Sequence, residues 1–273
     1  MADNRPIGIF DSGCGGVTAL RELQRLLPQE QFLYLGDTAR MPYGSHTPEE
    51  LSLYAHQITG FLLRQGVKAI VAACGTVSAN VPGLRRELPV PFFDVISASA
   101  KAAAAATHSG RVGLCATEAT IRSGRFAAAL EALPGISVTA VACPRLVPMI
   151  EGGTPADSPE LLDAVREYCK PMLAAGVDTL VLGCTHYPLI APAFAAALGK
   201  KVALVDCGAA AAAQAAETLR SSGLLAQQEA AAPRFWFTAR PEQAAALAGL
   251  ALGQDISAQT RLLPPDELAG GAR

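Results

Sequence analysis

The sequence lacks an excess of charge of either sign and lacks a long apolar run. Its 22 Lys and Arg residues nearly balance 24 Asp and Glu residues, for a net charge of −2, and no basic stripe is present. Nucleic-acid binding is therefore not expected. Stretches such as 102–106 and 209–213 are runs of alanine that are too short and too weakly apolar to span a bilayer, so no membrane helix is expected.

Several short patterns are also missing. Residues 1–6 carry no signal-peptide pattern, and the seven cysteines are odd in number with no CxxC pair, which together predict free thiols in a reducing, cytoplasmic setting. Cys184 and His186 are too close in sequence to chelate a metal, and no HxxxH accompanies them, so no metal site is predicted. Glycines 13, 15 and 16 lack the spacing of a dinucleotide-binding fingerprint.

Composition and periodicity predict an α/β protein. Hydrophobic residues make up 51% of the 273 residues and charged residues 17%, which is enough for a large buried core. Short apolar runs alternate with helical stretches, a pattern typical of parallel sheets with crossover helices. The predicted strands are 6–10, 31–35, 67–73, 91–95, 111–115, 136–142, 177–183, 202–206 and 234–238. The predicted helices are 16–27, 48–65, 78–88, 97–107, 119–132, 145–150, 158–175, 188–198, 208–223 and 241–252.

An internal repeat relates two halves of the chain. Cys74 and Cys184 lie 110 residues apart (184 − 74), and each ends a short apolar run that starts at a Gly-Val pair, at Gly66 and Gly176. Three further pairs of segments keep the same order at similar offsets: 7–12 with 112–117, 47–49 with 158–160, and 90–94 with 202–206. The second pair looks like a helix N-cap followed by proline at the first helical position.

The repeat predicts two pseudo-symmetric α/β domains, each a mainly parallel sheet flanked by helices, with the active site in the cleft between them. We assign 1–97 plus 209–273 to the first domain and 98–208 to the second. The strand at 234–238 is expected to pack back on the first half, because a lone strand and helix cannot bury their own faces. The tail from residue 264 is expected to be frayed.

Polar and small residues gather at the predicted carboxyl ends of the strands, where α/β sheets bind ligands. Cys74 and Cys184 are the candidate acid and base, because a thiol titrates near pH ~8.5 and one thiolate can face one thiol across a substrate. Asp11 and His186 are candidates for tuning the thiols. Buried structural roles are predicted for Cys115, Cys143, Cys169 and Cys207. For Cys14 the sequence does not decide between a structural and a functional role.

Three segments make the chain resemble a known family. Residues 7–16 (IGIFDSGCGG), 34–44 (YLGDTARMPYG) and 182–189 (LGCTHYPL) are similar to the glutamate racemases of the aspartate/glutamate racemase superfamily. Weaker similarity is found at 119–121, 143–144, 147–148, 151–152 and 237–238.

The resemblance implies cofactor-independent interconversion of L- and D-glutamate, without pyridoxal phosphate or metal, to supply peptidoglycan. It implies that Cys74 takes the α-proton from D-glutamate and Cys184 from L-glutamate, with Asp11 and His186 assisting. It also implies a homodimer. The residues that it assigns to binding the substrate carboxylates and amine are Ser12, Pro42, Tyr43, Gly44, Thr76, Thr117, Thr120 and Thr185, together with position 75.

Position 75 departs from the family pattern. Family members typically read Cys-Asn-Thr, and the asparagine helps to hold the substrate, whereas this chain reads Cys74-Gly75-Thr76. Loss of such an amide costs about 1–3 kcal/mol at a buried or charged partner. Three interpretations therefore stay open: a working glutamate racemase, a racemase of aspartate or another amino acid, and a catalytically weakened protein that binds an amino acid. A Gly75→Asn variant would show whether the missing amide limits the rate.

Overall fold

The computed structural model describes residues 2–270, which form two sheets whose strand pairs are all parallel. The larger sheet contains β1 (Ile7–Asp11), β2 (Phe32–Gly36), β3 (Ala69–Ala72), β4 (Phe92–Asp94), β9 (Arg234–Phe237) and β10 (Thr260–Leu262). The smaller sheet contains β5 (Arg111–Ala116), β6 (Ser137–Ala142), β7 (Thr179–Leu182) and β8 (Ala203–Asp206). The strand orders are β10-β9-β2-β1-β3-β4 and β6-β5-β7-β8.

Helices connect the strands and cover the sheets. They are α1 (Val17–Leu26), α2 (Pro48–Arg64), α3 (Gly75–Asn80), α4 (Leu84–Glu87), α5 (Val95–Ala106), α6 (Glu118–Arg122), α7 (Arg125–Glu131), α8 (Leu146–Glu151), α9 (Pro159–Ala175), α10 (Ala191–Leu198), α11 (Cys207–Ser221), α12 (Pro241–Leu252) and α13 (Pro265–Leu268). Short 3₁₀ turns lie at Tyr43–Ser45, Tyr187–Ile190 and Ser257–Gln259. No helix among the described residues is long and apolar enough to cross a membrane.

The predicted repeat is confirmed in strand order and in register. The series β2-β1-β3-β4 corresponds to β6-β5-β7-β8. Ile7 pairs with Ala69 in the larger sheet, and the equivalent residues Val112 and Thr179 pair in the smaller one. The predicted N-caps also match: Thr47 forms a capping box at the start of α2, and the Ser158 hydroxyl accepts the Leu161 N–H at the start of α9. The strands that lead to Cys74 and Cys184, β3 and β7, therefore hold equivalent places in the two sheets.

The returning segment joins the larger sheet, because β9 pairs in parallel with β2. The two sheets also share one core cluster, which includes Ile7, Val112 and Val205 together with residues of α1, α5 and α11. The proposed domain boundaries, 97/98 and 208/209, fall inside α5 and α11. The division into 1–97 plus 209–273 and 98–208 stays a prediction.

The structure corrects some sequence predictions. The helix predicted over 119–132 is two helices, because Gly124 adopts a left-handed φ of 67° between α6 and α7. The helix predicted over 78–88 is likewise split into α3 and α4 around Pro82, and it begins earlier, at Gly75. Strand β10 was missed because it is three residues long and mostly exposed.

The prediction of a frayed tail was wrong for the part that the structure describes. Residues 265–268 form α13, in which Leu268 is fully buried. Arg64 of α2 donates a hydrogen bond from Nη2 to the Leu268 carbonyl over 3.1 Å. The last part of the predicted tail, 271–273, lies outside the described residues.

Candidate active site

A cavity of about 160 Å³ lies where the carboxyl ends of the two sheets meet. Residues that follow β1, β2 and β3 line it from the larger sheet, and residues that follow β5, β6 and β7 line it from the smaller one. The lining residues are Ser12, Met41, Pro42, Tyr43, Gly44, Ser45, Cys74, Gly75, Thr76, Thr117, Glu118, Cys143, Pro144, Val147, Pro148, Gly183, Cys184, Thr185 and His186.

Most of the residues predicted for the site reach this cavity. The predicted residues that line it are Ser12, Pro42, Tyr43, Gly44, Cys74, Gly75, Thr76, Thr117, Cys184, Thr185 and His186. Asp11 and Thr120 do not line it, because both are buried behind other side chains. The hydroxyl of Thr120 lies 2.9 Å from that of Thr117, so Thr120 reaches the cavity only through its neighbour.

Cys74 lies at the N-cap of α3, immediately after β3. Burial, with a smaller contribution from the nearby Asp11 carboxylate, raises the pKa of its thiol to about 12. Hydrogen bonds from the Val77 N–H and the Ser12 side chain act in the opposite direction but do not compensate. Cys74 is therefore a thiol, and not a thiolate, at neutral pH.

Cys184 has a different setting, because it belongs to a chain of three side chains. Its Sγ lies 3.7 Å from Nδ1 of His186, and Nε2 of His186 lies 2.7 Å from Oε1 of Glu151. Burial lowers the pKa of His186, but the bonds to Cys184 and Glu151 outweigh it, so the pKa is held well above its usual value. A protonated imidazole can thus donate one N–H to the carboxylate and the other to the sulfur.

Asp11 is held in place by donors from both halves of the molecule. Its carboxylate accepts the N–H groups of Gly13 over 3.3 Å and Gly16 over 3.0 Å, and the Thr185 hydroxyl over 3.3 Å. The bond to Thr185 connects the loop after β1 to the loop after β7. Asp11 is thus in a position to act on the cavity through its charge and through Thr185, without touching a ligand.

A buried network supports the wall formed by the Tyr43–Ser45 turn. The Tyr43 hydroxyl donates to the fully buried Asp37, which also accepts the Thr238 hydroxyl over 2.7 Å. Arg40 pairs with the same carboxylate over 2.7 Å, from Nε to Oδ2. This network anchors Tyr43 and aligns the adjoining Pro42 and Gly44 along the cavity.

Hydroxyl groups dominate the polar lining. The Thr76 and Thr117 hydroxyls, one from each half, lie 3.0 Å apart. The helices α3 and α6 also begin at the cavity, so their first N–H groups have no carbonyl partner within the helix. Among the described residues that line the cavity, none is Lys or Arg. A carboxylate bound here would meet hydroxyl and backbone N–H donors and no Lys or Arg side chain.

Sequence reasoning missed several residues of the site. Glu151, the partner of His186, lies 35 positions earlier in the chain, and only the weak family similarity at 151–152 pointed to it. Cys143 was predicted to be a buried structural residue, but it lines the cavity while being only 1% exposed. The other lining residues that were missed are Met41, Ser45, Glu118, Pro144, Val147, Pro148 and Gly183.

No group of three or more His, Cys, Asp or Glu side chains within residues 2–270 is placed to hold a metal ion. All seven cysteines are free thiols.

Comparisons with known proteins connect this geometry to a family. The model of the Asp/Glu/Hydantoin racemase family matches residues 8–215. The chain is 44% identical over 239 residues to a glutamate racemase of Pseudomonas putida, which covers 87% of this chain and 90% of the relative.

Comparison with solved structures points to the same family. A glutamate racemase isoform from Bacillus anthracis superposes with a TM-score of 0.91 at 32% identity, covering 96% of this chain and 98% of the other. A glutamate racemase from Francisella tularensis in complex with D-glutamate superposes with a TM-score of 0.88 at 33% identity, covering 97% and 99%. The family match extends from β1 to beyond β8 and includes both Cys74 and Cys184, and the chain therefore belongs to the Asp/Glu/Hydantoin racemase family.

Proposed function

We propose that the chain is a glutamate racemase that interconverts L- and D-glutamate with Cys74 and Cys184 as its two acid–base groups and without a cofactor. The observation that carries the proposal is the convergence of the two thiols, from equivalent strands of different sheets, on one cavity. Racemisation by direct proton transfer needs one group on each face of the α-carbon, and a repeated fold provides this arrangement. The names of the relatives support glutamate as the substrate.

The unequal settings of the thiols suggest a starting state for the reaction. Cys74 is a thiol at neutral pH, whereas the sulfur of Cys184 lies 3.7 Å from Nδ1 of His186, a ring nitrogen that can exchange a proton with it. We infer that Cys184 removes the α-proton of L-glutamate while Cys74 donates its proton to the opposite face. The reverse reaction runs from the opposite protonation state, in which Cys74 has lost its proton and Cys184 has gained one.

The carbanion-like transition state needs stabilisation, because the α-proton of an amino acid is a poor acid. Negative charge develops on the α-carboxylate during proton removal. Oriented donors aimed at such charge in a buried site are worth far more than donors in water. The Thr76 hydroxyl and the first N–H groups of α3 are suitable donors at the cavity wall.

A polarimetric or circular dichroism assay tests the proposed function against its alternatives. With L-glutamate as substrate, we expect the optical signal to decay to zero, and with L-aspartate we expect decay at least about a hundredfold slower. Faster decay with L-aspartate would favour the aspartate alternative, which remains a second candidate because Gly75 departs from the family pattern. A protein that binds glutamate but shows no decay with either substrate would be the weakened amino-acid-binding protein.

Replacing Glu151 with glutamine is expected to lower kcat by about 10- to 100-fold. The amide keeps the shape and can still accept the His186 N–H, but it removes the charge that helps to hold the imidazole protonated. The pKa of His186 should fall, and a smaller fraction of the protein should carry the protonated imidazole that faces the sulfur of Cys184. Kinetics, together with an NMR titration of the His186 ring, would measure both effects.

Glu87→Gln is the matched control for this prediction. Glu87 also pairs with a histidine, His56, over 2.6 Å, but both side chains are exposed and lie outside the cavity. This variant should lower the pKa of His56, which is raised by the bond to Glu87, and leave kcat unchanged. Equal kcat values for Glu151→Gln and wild type would contradict a role of Glu151 in tuning the site.

The raised pKa of Cys74 predicts a pH dependence that is visible once Cys184 is removed. In a Cys184→Ala variant, exchange of the α-proton of D-glutamate depends on the Cys74 thiolate alone. Because the pKa is raised to about 12, the thiolate fraction should rise about tenfold per pH unit between pH 7 and 10, and the exchange rate should rise with it. NMR in deuterated water measures this rate. A plateau below pH 9 would show that Cys74 ionises near its ordinary range.

The cellular setting belongs to the same proposal. D-Glutamate made by this reaction would supply peptidoglycan, the enzyme would act in the cytoplasm, and it would form a homodimer. The peptidoglycan role and the homodimer follow from the resemblance to glutamate racemases, and the cytoplasmic setting follows from the cysteine pattern and the residues at 1–6. Fractionation of the host cell and the mass of the purified protein in solution test the last two points.

A further inference from the structure

The two thiols are flanked by glycines that meet across the cavity. Gly75 follows Cys74 and begins α3, while Gly183 precedes Cys184 and follows β7. Both glycines line the cavity. The backbones of the two halves therefore approach each other directly beside the reacting groups.

Position 75 has no room for a side chain. A Cβ atom built on Gly75 would lie well under 3.0 Å from the Gly183 carbonyl oxygen and 3.5 Å from its carbonyl carbon. Real Cβ atoms essentially never come within 3.0 Å of another heavy atom. Because the obstacle is backbone, no rotamer change can relieve the clash. Any larger residue at 75 has to push the Gly183 carbonyl away.

Backbone conformation does not explain the glycine. The glycines with left-handed φ values include Gly66, Gly124 and Gly176, and Gly75 is not among them. Gly75 has helical geometry at the start of α3, where glycine is less favourable than alanine by about 1 kcal/mol. Space for the Gly183 carbonyl is thus what this position requires.

The Gly183 carbonyl is itself unusual. Gly183 is buried and its N–H donates to the Cys115 carbonyl over 2.8 Å, but no backbone N–H of the described residues donates to the Gly183 oxygen. A buried carbonyl without a donor costs free energy comparable to a lost hydrogen bond. This oxygen contacts position 75, which follows Cys74, and it belongs to the residue that precedes Cys184, so it lies between the backbones that carry the two thiols. A carbonyl oxygen is a hydrogen-bond acceptor, so it attracts an ammonium group and repels a carboxylate.

We propose that the Gly183 carbonyl oxygen accepts a hydrogen bond from the α-ammonium group of the substrate, and that position 75 is glycine because only glycine leaves this carbonyl in place. The inference rests on the proposed function for the identity of the substrate. It assigns Gly75 a steric role in specificity and assigns the binding contact to Gly183. Gly75→Asn should therefore impair the enzyme, since its Cβ meets the same obstacle before its amide can help.

The test compares two ligands that differ in the ammonium group. Dissociation constants of racemic glutamate and of glutarate, which has both carboxylates but no ammonium, are measured calorimetrically for the wild type and for Gly75→Ala. A general widening of the cleft weakens both ligands, whereas displacement of the carbonyl weakens glutamate selectively. We expect the ratio of the glutamate to the glutarate dissociation constant to rise about tenfold, as for loss of a hydrogen bond to a charged group. An unchanged or lower ratio overturns the proposal.

An NMR measurement on the wild type covers the case in which Gly75→Ala does not fold. Only Gly13-Cys14 and Gly183-Cys184 are Gly-Cys pairs in the sequence, so protein labelled with ¹³C-carbonyl glycine and ¹⁵N-cysteine gives two correlations. Cys184→Ser identifies the Gly183 signal by removing it. Glutamate should shift the Gly183 carbonyl resonance and glutarate should leave it near the free position. Equal shifts with the two ligands, or no shift with glutamate, overturn the proposal.

Gly60→Ala is the control for a glycine-to-alanine change. Gly60 lies inside α2, away from the cavity, and a Cβ there meets only the flexible end of Arg64, at 3.6 Å. It should leave the ratio unchanged. Because binding is measured, a protein that binds glutamate with the expected ratio but does not racemise it contradicts the proposed function alone. A racemase with an unchanged ratio contradicts this inference alone.

Discussion

Replacing Cys74 or Cys184 with alanine is expected to lower racemisation by about a thousandfold or more, near the upper limit for a positioned acid or base. Each variant keeps one thiol on one face of the α-carbon. A single base can remove a proton and return it to the same face, so exchange with solvent should continue for one enantiomer. Cys184→Ala should exchange only D-glutamate, and Cys74→Ala only L-glutamate. Proton NMR and polarimetry in deuterated water follow exchange and inversion separately.

Cys169→Ala is the control for this pair of variants. Cys169 is fully buried in α9 and does not line the cavity, so its loss should lower stability slightly and leave kcat unchanged. Racemisation by either active-site variant at more than about a tenth of the wild-type rate would contradict the two-thiol mechanism. Exchange of both enantiomers by one variant would contradict the assignment of one thiol to each face.

Lys68→Met is expected to destabilise the protein by about 3–5 kcal/mol, as for removal of one partner from a buried ion pair. Nζ of Lys68 lies 2.6 Å from Oε2 of Glu30, and the two side chains are 0% and 2% exposed. The ammonium also donates to the carbonyls of Asp3 and Leu224, over 2.6 and 2.7 Å. The variant leaves a buried carboxylate without a counter-charge and frees two carbonyls. Denaturant unfolding measures the change in free energy.

Arg166→Met provides the comparison. Arg166 pairs with Asp163 over the same N–O distance of 2.6 Å, but the side chains are 60% and 72% exposed. An exposed pair is worth roughly 0–1 kcal/mol, so the expected loss is small. The account of the buried pair would be wrong if both variants lowered the free energy of unfolding equally.

The strands and the repeat could be predicted because their signals are local. The short apolar runs ending at Cys74 and Cys184 were predicted to be buried parallel strands, and their gapless match indicated the repeat that the two sheets show. The short strand β10 lacked an apolar run and was missed. The break at Gly124 was missed because a single glycine is also tolerated within helices.

Site residues that directly follow a strand could be predicted from the sequence. Site residues that depend on contacts between distant segments of the chain could not. Cys184 and His186 are two residues apart, but the partner of the imidazole, Glu151, comes from α8 and meets it only in three dimensions. The contact between Gly75 and Gly183 also joins the two halves. The sequence alone left the effect of Gly75→Asn open, whereas this contact predicts that the variant impairs the enzyme.

The central claim is that two thiols act on opposite faces of one glutamate, and the isotope content of the first product tests it most directly. L-Glutamate is incubated with wild-type enzyme in deuterated water, and the two enantiomers are separated after a few per cent conversion. The account predicts deuterium at the α-carbon of nearly all the D-glutamate and protium in the remaining L-glutamate, because Cys184 removes the proton and Cys74 delivers a solvent-derived deuteron. D-Glutamate that retains the original proton, or equal deuterium in both enantiomers, would contradict it.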